Sequence, residues 1–298
     1  MIQLSEPTYW KEYELIDSGD YEKLERFGAY VVRRPEPQAV WRKTLSDEIW
    51  VSKTKAFFKK EKGKNTADGN DRGEWIRRKE MPDQWFIRYK YKEMNLAFRL
   101  GLTSFKHVGV FPEQADNWNY IYDTLQGFHS SDNPVLNLFA YTGGASLAAR
   151  SAGAEVTHVD SVKQVISWSR ENMEASGLDN IRWVVEDVMK YIRREVKRGK
   201  KYAGIILDPP AYGRGPDGEK WILEESIAEL MDLCSRLLRE QESFLILNLY
   251  SMGFSSVIAE NLIKDYFPDA QETQFGELII REQSGKRLPL SVYARFRR

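Results

Sequence analysis

The feature that most constrains the fold is a regular alternation, from residue 133 onward, of short apolar runs with amphipathic stretches of helical periodicity. Such alternation is typical of βαβ units around a parallel sheet. The pattern predicts five strands, at 135–139, 155–160, 181–186, 203–208 and 243–249. It predicts a helix after each strand, at 144–152, 163–176, 187–198, 221–240 and 254–265.

The end of the chain departs from an ordinary dinucleotide-binding domain. Two further strand-like stretches, 271–281 and 290–297, are joined by the turn sequence SGKRLP, and no helix separates or follows them. A dinucleotide domain would end on a parallel strand preceded by a helix. The sequence therefore predicts an α/β fold with a Rossmann-like sheet of seven strands, of which the last two form a β-hairpin.

The N-terminal third has a different composition. Residues 21–106 hold 21 lysines and arginines against 12 aspartates and glutamates, although the whole chain has no net charge. The same stretch is rich in aromatic residues, and cations among aromatics can hold phosphates while the rings stack on bases. The alternative is a solvated charged surface over an aromatic core. We expect two domains, a smaller, basic, β-rich one for substrate recognition at 1–104 and a larger catalytic one at 105–298.

Two segments of this basic region have recognisable patterns. The stretch 59–79 is polar, lysine-heavy and rich in Gly, Asn and Asp, which predicts a long loop or a hairpin tip. The stretch 85–103 alternates, with Arg88 and Lys90 on one face and Ile87 and Tyr89 on the other. That alternation predicts a half-buried strand pair with one basic face.

Several classes of protein are disfavoured by composition. A single cysteine, Cys234, excludes an internal disulfide and a cysteine-rich zinc site, and three scattered histidines disfavour a metal cluster. No apolar run approaches the roughly 20 residues that a membrane helix needs. Residues 1–23 are acidic and aromatic where a signal peptide would be basic and then apolar. We expect a cytoplasmic protein with no metal and no membrane association.

A glycine turn follows the first predicted strand of the wound region. In NLFAYTGGASLAA, residues 137–149, Gly143 and Gly144 stand where the strand gives way to a helix. Glycine there permits turn dihedrals closed to other residues and lets the backbone approach a ligand. The alternative is a tight strand-to-helix turn without a ligand.

Carboxylates stand at the ends of the next two predicted strands. Asp160 ends the second strand and Asp187 follows the third, directly before a helix. Either side chain could be a helix N-cap. Because wound sheets bind ligands at the carboxyl edge of their strands, and an acidic residue at such a place meets ribose hydroxyls, a ligand site is the competing interpretation.

The fourth predicted strand leads into GIILDPPAYGRGPDGE, residues 204–219. Asp208 follows the buried run, and Pro209 with Pro210 stiffens the loop and removes two backbone donors, which leaves carbonyls to accept hydrogen bonds. A rigid acidic group beside Tyr212 can orient an amino group while the ring stacks on a base. The alternative is a Pro-Pro loop terminator.

Together these motifs resemble those of the class I S-adenosylmethionine-dependent methyltransferases. The matching stretches are 137–149, 156–160, 185–191 and 207–215, and they particularly resemble those of the bacterial ribosomal RNA large-subunit methyltransferases. The segment 105–118, FKHVGVFPEQADNW, is similar to the one that introduces the catalytic domain in that group. The resemblance implies S-adenosylmethionine as cofactor, no metal, and ribosomal RNA as substrate.

The resemblance also implies roles for individual residues. Tyr141, Thr142 and Gly143 would line the methionine part of the cofactor. Asp160 would bind the ribose hydroxyls and Asp187 the adenine. Asp208, Pro209 and Tyr212 would face the methyl acceptor. Phe111 and Gln114 would lie near the cofactor.

Two positions depart from the family pattern. Asn137 stands where many class I enzymes have an acidic residue. Tyr212 comes one residue later than the aromatic of the Asp-Pro-Pro-Tyr motif in amino-methylating enzymes.

The absence of a cysteine near the predicted site bears on which atom is methylated. Methylation at C5 of a pyrimidine needs a thiolate, and the end of the fifth predicted strand, 247–253, contains no cysteine. Cys234 lies in a predicted helix before that strand, where a small buried side chain is the simplest interpretation. A nitrogen or oxygen acceptor is therefore favoured over a pyrimidine carbon.

Three functions stay open from the sequence. The first is a methyltransferase acting on RNA, the second a methyltransferase acting on a protein or small molecule, and the third a nicotinamide-dependent oxidoreductase. The third would need a G-x-G-x-x-G turn, which the chain lacks. A cofactor-binding module without activity is disfavoured because Asp208 and Tyr212 are both present.

Overall fold

The structure is a computed structural model that describes residues 1–7, 10–60, 73–250 and 253–298. The elements of the N-terminal third are β1 Gln3–Ser5, β2 Tyr13–Gly19, β3 Glu22–Phe27, β4 Tyr30–Pro35, α1 Asp47–Lys53, β5 Ala56–Lys60, β6 Gly73–Arg77, β7 Gln84–Tyr91 and β8 Met94–Gly101.

The remaining elements follow after one 3-10 turn at Pro112–Gln114. They are α2 Ala115–Gln126, β9 Pro134–Leu138, α3 Gly144–Ser151, β10 Glu155–Asp160, α4 Lys163–Ala175, β11 Ile181–Val185, α5 Val188–Lys197, β12 Gly204–Leu207, β13 Tyr212–Arg214, β14 Lys220–Ile222, α6 Leu223–Leu237, β15 Phe244–Leu249, α7 Ser256–Tyr266, β16 Gln271–Arg281 and β17 Arg287–Arg297.

The large sheet has the order β1-β16-β17-β15-β12-β9-β10-β11. All neighbours pair in parallel except at β17, which is antiparallel to both β15 and β16. The predicted α/β fold with a C-terminal hairpin is confirmed. The sheet has one strand more than the seven predicted, because β1 pairs with β16 and is too short to carry a periodic signal.

Each inner strand is buried on both faces, and its alternate side chains enter two different hydrophobic clusters. In β15, Phe244 and Ile246 join the cluster that contains α2 and α3. Leu245 and Leu247 join the cluster that contains α5, α6 and α7. The helices therefore cover both faces of the sheet and leave the carboxyl ends of the strands to the loops.

The N-terminal region forms a second sheet, of order β2-β3-β4-β5-β6, and a separate hairpin of β7 with β8. In β7 the predicted alternation holds, since Arg88 and Lys90 are exposed while Ile87 and Tyr89 are buried. The ends of the predicted loop at 59–79 belong to β5 and β6, and residues 61–72 lie outside the described residues.

The N-terminal region packs closely against the wound region. Trp10 meets Trp118 edge to face at 5.9 Å between ring centroids, and the Tyr89 hydroxyl donates to Asn119 Oδ1 at 2.9 Å. Strand β1 belongs to the large sheet itself. The division into domains at residue 105 stays a prediction. No helix among the described residues is long and apolar enough to span a membrane.

Candidate active site

A cavity of about 480 Å³ opens at the carboxyl edge of β9, β10, β11 and β12. The predicted site residues that line it are Phe111, Gln114, Tyr141, Asp160, Asp187, Asp208 and Pro209. A narrower cavity of about 50 Å³ adjoins it, shares Phe111, Gln114, Tyr141 and Asp208, and adds Thr142 and Gly143. Tyr212 lines neither of these two cavities.

The glycine turn has an unusual backbone. Phe139, Tyr141 and Gly143 have φ values of 55°, 46° and 91°, so every second residue adopts the left-handed conformation. For Phe139 and Tyr141 that conformation is strained, and such strain persists where surrounding contacts hold it. Gly143 is the N-cap of α3, and Gly144 has no room for a side chain because a Cβ there would lie 2.6 Å from the Trp118 ring.

The contacts that hold this turn come from α4 and from the segment before α2. Ser169 Oγ donates to the Tyr141 carbonyl at 2.7 Å, and Asn172 Nδ2 donates to the Thr142 carbonyl at 3.0 Å. Thr142 Oγ1 donates to the Gly109 carbonyl at 2.7 Å. The hydroxyl of Thr142 is therefore occupied within the protein, and its backbone faces the narrow cavity.

Asp160 is fixed at the end of β10. Its Oδ2 accepts from the Tyr141 amide at 3.0 Å and its Oδ1 from the Val162 amide at 2.9 Å. Burial nevertheless raises the pKa of this carboxyl above its ordinary value. Each oxygen keeps a further lone pair, so the group can accept hydrogen bonds from a diol in the cavity.

Asp187 is a helix cap. Its Oδ1 accepts from the Lys190 amide at 2.9 Å and caps the N-terminus of α5. The residue also lines the main cavity, so the cap and a ligand contact through Oδ2 are compatible.

Asp208 differs from both. No hydrogen bond from the described residues reaches its carboxylate, and burial raises its pKa to about 6. A half-buried acceptor without a donor in the protein is expected to find its donor on a ligand.

The Pro-Pro loop is only partly as predicted. The Pro210 carbonyl is not free, because Trp221 Nε1 donates to it at 2.7 Å. No described residue donates a hydrogen bond to the Pro209 carbonyl, which leaves that one acceptor beside Asp208.

Beyond this loop the chain forms a small two-stranded arm, β13 with β14, which the sequence did not indicate. Tyr212 pairs with Ile222 across the arm, while Gly213 and Arg214 line the main cavity. Trp221 anchors the arm, with its ring 4.8 Å from that of Phe139. Tyr212 thus belongs to the arm, and its two neighbours in β13 line the cavity.

Aromatic rings form one wall of the main cavity. Phe111 lies 5.1 Å from His107, 5.2 Å from Tyr141 and 6.2 Å from Tyr250 between ring centroids. Sequence reasoning missed His107 and Tyr250. Tyr250 directly follows β15, so the rule that points to carboxyl ends of parallel strands would have found it.

Glu113 is a fourth carboxyl residue at the main cavity, and the sequence analysis did not predict it. It is 2% exposed, and burial raises its pKa to about 7. Its neighbour Gln114 is held by Asn117, whose Nδ2 donates to Gln114 Oε1 at 3.0 Å and to Asn248 Oδ1 at 2.9 Å. No local pattern marks Glu113, because its burial arises from tertiary packing.

Asn137 is engaged inside the fold. Its Nδ2 donates to Ser146 Oγ at 2.9 Å, and that hydroxyl lies 3.0 Å from His158 Nδ1. Burial lowers the pKa of His158 to about 3, so the imidazole is neutral. The amide that replaces the usual acid thus serves this buried network.

Cys234 lies on α6 in the hydrophobic cluster beneath the sheet and lines neither cavity. Burial raises the pKa of its thiol. Among the described residues no group of three or more His, Cys, Asp or Glu side chains is arranged to hold a metal ion.

The joined cavities fit S-adenosylmethionine. The main cavity combines the fixed Asp160 carboxylate with apolar Val162 and Val165, which suits a ribose and a base. The narrow cavity lies at the N-terminus of α3, where backbone N–H groups favour an anion such as the carboxylate of an amino acid.

Comparison with known proteins agrees with this geometry. The family described as "Conserved hypothetical protein 95" matches residues 105–233. A solved structure, the SAM-dependent methyltransferase from Agrobacterium tumefaciens, is 37% identical with a TM-score of 0.88, over 99% of this chain and 93% of that one.

Curated relatives match part of the chain. Ribosomal RNA large subunit methyltransferase K/L of Shewanella frigidimarina is 30% identical over 49% of this chain and 20% of its own length. Ribosomal RNA large subunit methyltransferase I of Aeromonas salmonicida is 33% identical over 42% of this chain and 28% of its own length. The chain thus spans under a third of these two relatives. With the Agrobacterium structure matched over nearly its full length, the chain belongs to the class I S-adenosylmethionine-dependent methyltransferases.

Proposed function

We propose that the chain methylates RNA, ribosomal RNA by similarity, on a nitrogen or oxygen atom. The observation that carries the proposal is Asp208, a carboxylate with no donor among the described residues, at a cavity walled by aromatic rings. Aromatic rings can stack on a flipped or single-stranded base, and the neighbouring carboxylate can accept a hydrogen bond from the amino group of that base.

The chain's own residues would hold the cofactor at the carboxyl edge. The Asp160 carboxylate would accept from the ribose hydroxyls, and Asp187 would accept from the adenine through the oxygen that does not cap α5. The backbone of Tyr141, Thr142 and Gly143 would receive the methionine arm. Phe111 and Gln114 would lie between the two cavities, both of which they line.

When bound, S-adenosylmethionine supplies a methyl group that is already electrophilic, so the protein need only align the acceptor and exclude water. Asp208 would accept a hydrogen bond from the acceptor group and thereby aim its lone pair. With a pKa of about 6, the carboxylate is available near neutral pH to take the proton that the acceptor loses. The Pro209 carbonyl would fix a second hydrogen of an amino group.

A pyrimidine carbon as acceptor is disfavoured by the position of the only cysteine. Addition to a pyrimidine ring needs a thiolate at the cavity, and Cys234 is fully buried in α6. A nitrogen or oxygen acceptor needs no such nucleophile.

RNA is favoured over a protein or small molecule by two observations. The curated relatives named above are ribosomal RNA methyltransferases. The N-terminal region has nine excess positive charges between residues 21 and 106, which suits a polyanion.

The test is methyl transfer from labelled cofactor to total RNA, ribosomal RNA and protein extract, followed by mass spectrometry of the digested products. We expect label in RNA, on a nitrogen or on a ribose or base oxygen. Label in protein alone would overturn the proposal. A C5-methylated pyrimidine that is lost in Cys234→Ser would overturn the choice of acceptor.

A further inference from the structure

We propose that a groove on the N-terminal sheet binds single-stranded RNA, with a base stacked on Phe57 and phosphates on the surrounding cations. The inference rests on the proposed RNA substrate and names where that substrate is held outside the active site. The groove is a cavity of about 450 Å³ formed by the end of α1 and one face of β4, β5 and β6. It shares no lining residue with the cavities of the active site.

A row of side chains crosses three strands on this face. Arg33 of β4 is the register partner of Phe57 in β5, and Phe57 is the partner of Ile76 in β6. Phe57 of β5 is 37% exposed and Ile76 of the edge strand β6 is 39% exposed, so two neighbouring apolar side chains face solvent. A cation, an aromatic ring and an apolar side chain thus stand side by side on an open surface.

The opposite face of the same two strands holds Phe57 in place. Phe58 and Trp75 are register partners whose rings meet edge to face at 5.5 Å. Trp75 Nε1 also donates to the Phe105 carbonyl at 2.9 Å. A ring presented from an anchored strand loses little entropy on stacking, which favours base binding.

The groove has an excess of positive charge. Its lining includes five cations and one carboxylate, namely Arg33, Lys55, Lys59, Arg77, Arg78 and Glu22. Three of the five cations are paired with carboxylates: Arg33 with Glu22 through two contacts of 2.7 Å, Arg77 with Asp83 at 3.0 Å and Lys59 with Glu74 at 3.6 Å. Lys55 and Arg78 have no carboxylate partner among the described residues, and Arg78 donates instead to the Val51 carbonyl at 2.8 Å.

These features favour a single strand over a duplex. A duplex keeps its bases stacked inward, whereas an open sheet face with an exposed ring and flanking cations takes unstacked bases and their phosphates. An acidic peptide would use the cations and leave the ring without a partner of matching shape.

The experiment measures binding of a fluorescein-labelled oligouridylate of about 12 nucleotides, a length in the range that one such surface covers. The full chain is titrated across a series of salt concentrations. We expect Phe57→Ala to weaken binding about fivefold or more. We expect Lys55→Glu and Arg78→Glu each to flatten the logarithmic salt slope by about 0.7 or more. Phe57→Trp should bind as wild type or better.

Phe86→Ala is the matched control, because Phe86 is 54% exposed on β7, on the other basic face of the N-terminal region. It should leave affinity unchanged, and calorimetry should show the same cofactor affinity in every variant. Loss of affinity in Phe86→Ala but not in Phe57→Ala would overturn the groove while leaving RNA as substrate. Wild type that neither binds the oligonucleotide nor methylates RNA would overturn the proposed function as well. Methylation of RNA by a Phe57→Ala variant with unchanged binding would overturn the groove alone.

Discussion

At the scale of single residues, the three carboxylates of the active-site edge have different partners. Asp160 accepts from two backbone amides, Asp187 from one, and Asp208 from none of the described residues. The more donors the protein supplies, the less a carboxylate depends on a ligand for its hydrogen bonds. Asp208 is therefore the carboxylate whose removal should affect substrate chemistry most and the folded protein least.

We predict that Asp208→Asn lowers kcat by about a hundredfold or more, because an amide cannot take the acceptor's proton. Cofactor affinity measured by calorimetry should change by less than about threefold, that is, by less than about 0.6 kcal/mol of binding free energy. In wild type, kcat/KM should fall as the pH drops through about 6, where the carboxylate becomes protonated. Equal losses of rate and of cofactor affinity would place Asp208 on the cofactor side.

The raised pKa of Asp208 has a second, opposite consequence for stability. Folding favours the neutral carboxyl, so the charged carboxylate lowers the free energy of unfolding above pH 6. Below the ordinary pKa of 3.8 the carboxyl is neutral in both the folded and the unfolded chain, and stability is not lowered. Asp208→Asn should therefore raise the free energy of unfolding by an amount of order 1 kcal/mol at pH 8. Thermal melts at pH 3.5 and pH 8 check this, and a variant destabilised at pH 8 would contradict it.

Asp160→Ala should weaken cofactor binding about tenfold to a hundredfold, because a ligand would lose hydrogen bonds to a charged acceptor. Calorimetry with S-adenosylhomocysteine measures the loss. Asp160→Asn is the control, since it keeps one acceptor oxygen for the loop, and it should bind with intermediate affinity. Unchanged affinity in Asp160→Ala would remove the residue from the cofactor site.

At the scale of elements, the turn between β9 and α3 carries the narrow cavity. Its shape depends on Gly143, whose φ of 91° lies in the left-handed region, and on contacts from α4. A methyl group at Gly143 would meet Ser169 Cβ at 3.4 Å, an ordinary contact. A substitution there therefore tests backbone strain without a steric clash.

Gly143→Ala should lower the free energy of unfolding by about 1 kcal/mol and also weaken cofactor binding, because the strained turn shifts its N–H groups. Gly153→Ala is the matched control, since Gly153 has a φ of 94° and a methyl group added there would have no neighbour within 4 Å. It should lose similar stability with no change in cofactor affinity. Denaturant titration measures the stability of both variants, and calorimetry measures their cofactor affinity. Equal effects of the two substitutions on cofactor affinity would refute a specific role of the Gly143 turn in cofactor binding.

The elements also show what sequence can predict. The five wound strands lie within about two residues of their predicted bounds, because inner strands buried on both faces, such as β12 and β15, are apolar runs between helices. Strands β1, β13 and β14 have three residues each and carry no periodicity, so their pairing leaves no signal in the sequence. The seven predicted residues that line the main cavity follow from the sheet topology and from the family resemblance. Glu113 and Trp221 do not, because distant packing brings them to the cavity.

At the scale of the whole molecule, buried charges connect the N-terminal sheet with the active-site side. Arg34 binds Glu25 through contacts of 2.5 and 3.0 Å, and Tyr13 donates to the same carboxylate at 2.9 Å. These charges also act on the cavity residue Glu113. Burial raises the pKa of Glu113, and the positive charges of Arg34 and Lys23 lower it. The N-terminal sheet is thus electrostatically part of the site's surroundings.

Arg34→Met should lower the free energy of unfolding by about 3 kcal/mol, because it removes the bidentate partner of the buried Glu25 charge and leaves it only Lys23 at 3.8 Å. The double variant Glu25→Leu with Arg34→Met should recover most of that loss. Arg26→Met is the control on the same sheet, since Arg26 meets Glu14 at 3.3 Å in a partly exposed pair and should cost about 1 kcal/mol or less. Denaturant titrations measure all three, and equal costs for the buried and exposed pairs would contradict the prediction.

The lysine-rich stretch 59–64 is also predicted to bind RNA, and most of it lies outside the described residues. Reversing its charges should weaken RNA binding and flatten the salt dependence without changing cofactor affinity. Salt titrations of wild type and variant measure the effect, and a slope equal to that of wild type would contradict it.

The short strand β1 has a consequence for how copies of this protein behave together. It pairs with Gly276–Leu278 along β16, and a side chain at Gly276 would collide with the Gln3 backbone. Without that pairing, β16 would present open N–H and C=O groups, a template on which another chain can add a strand. Gln3–Ser5 thus covers the middle of this strand with a three-residue edge, and a side chain at Gly276 would open that stretch to pairing with another copy of the protein.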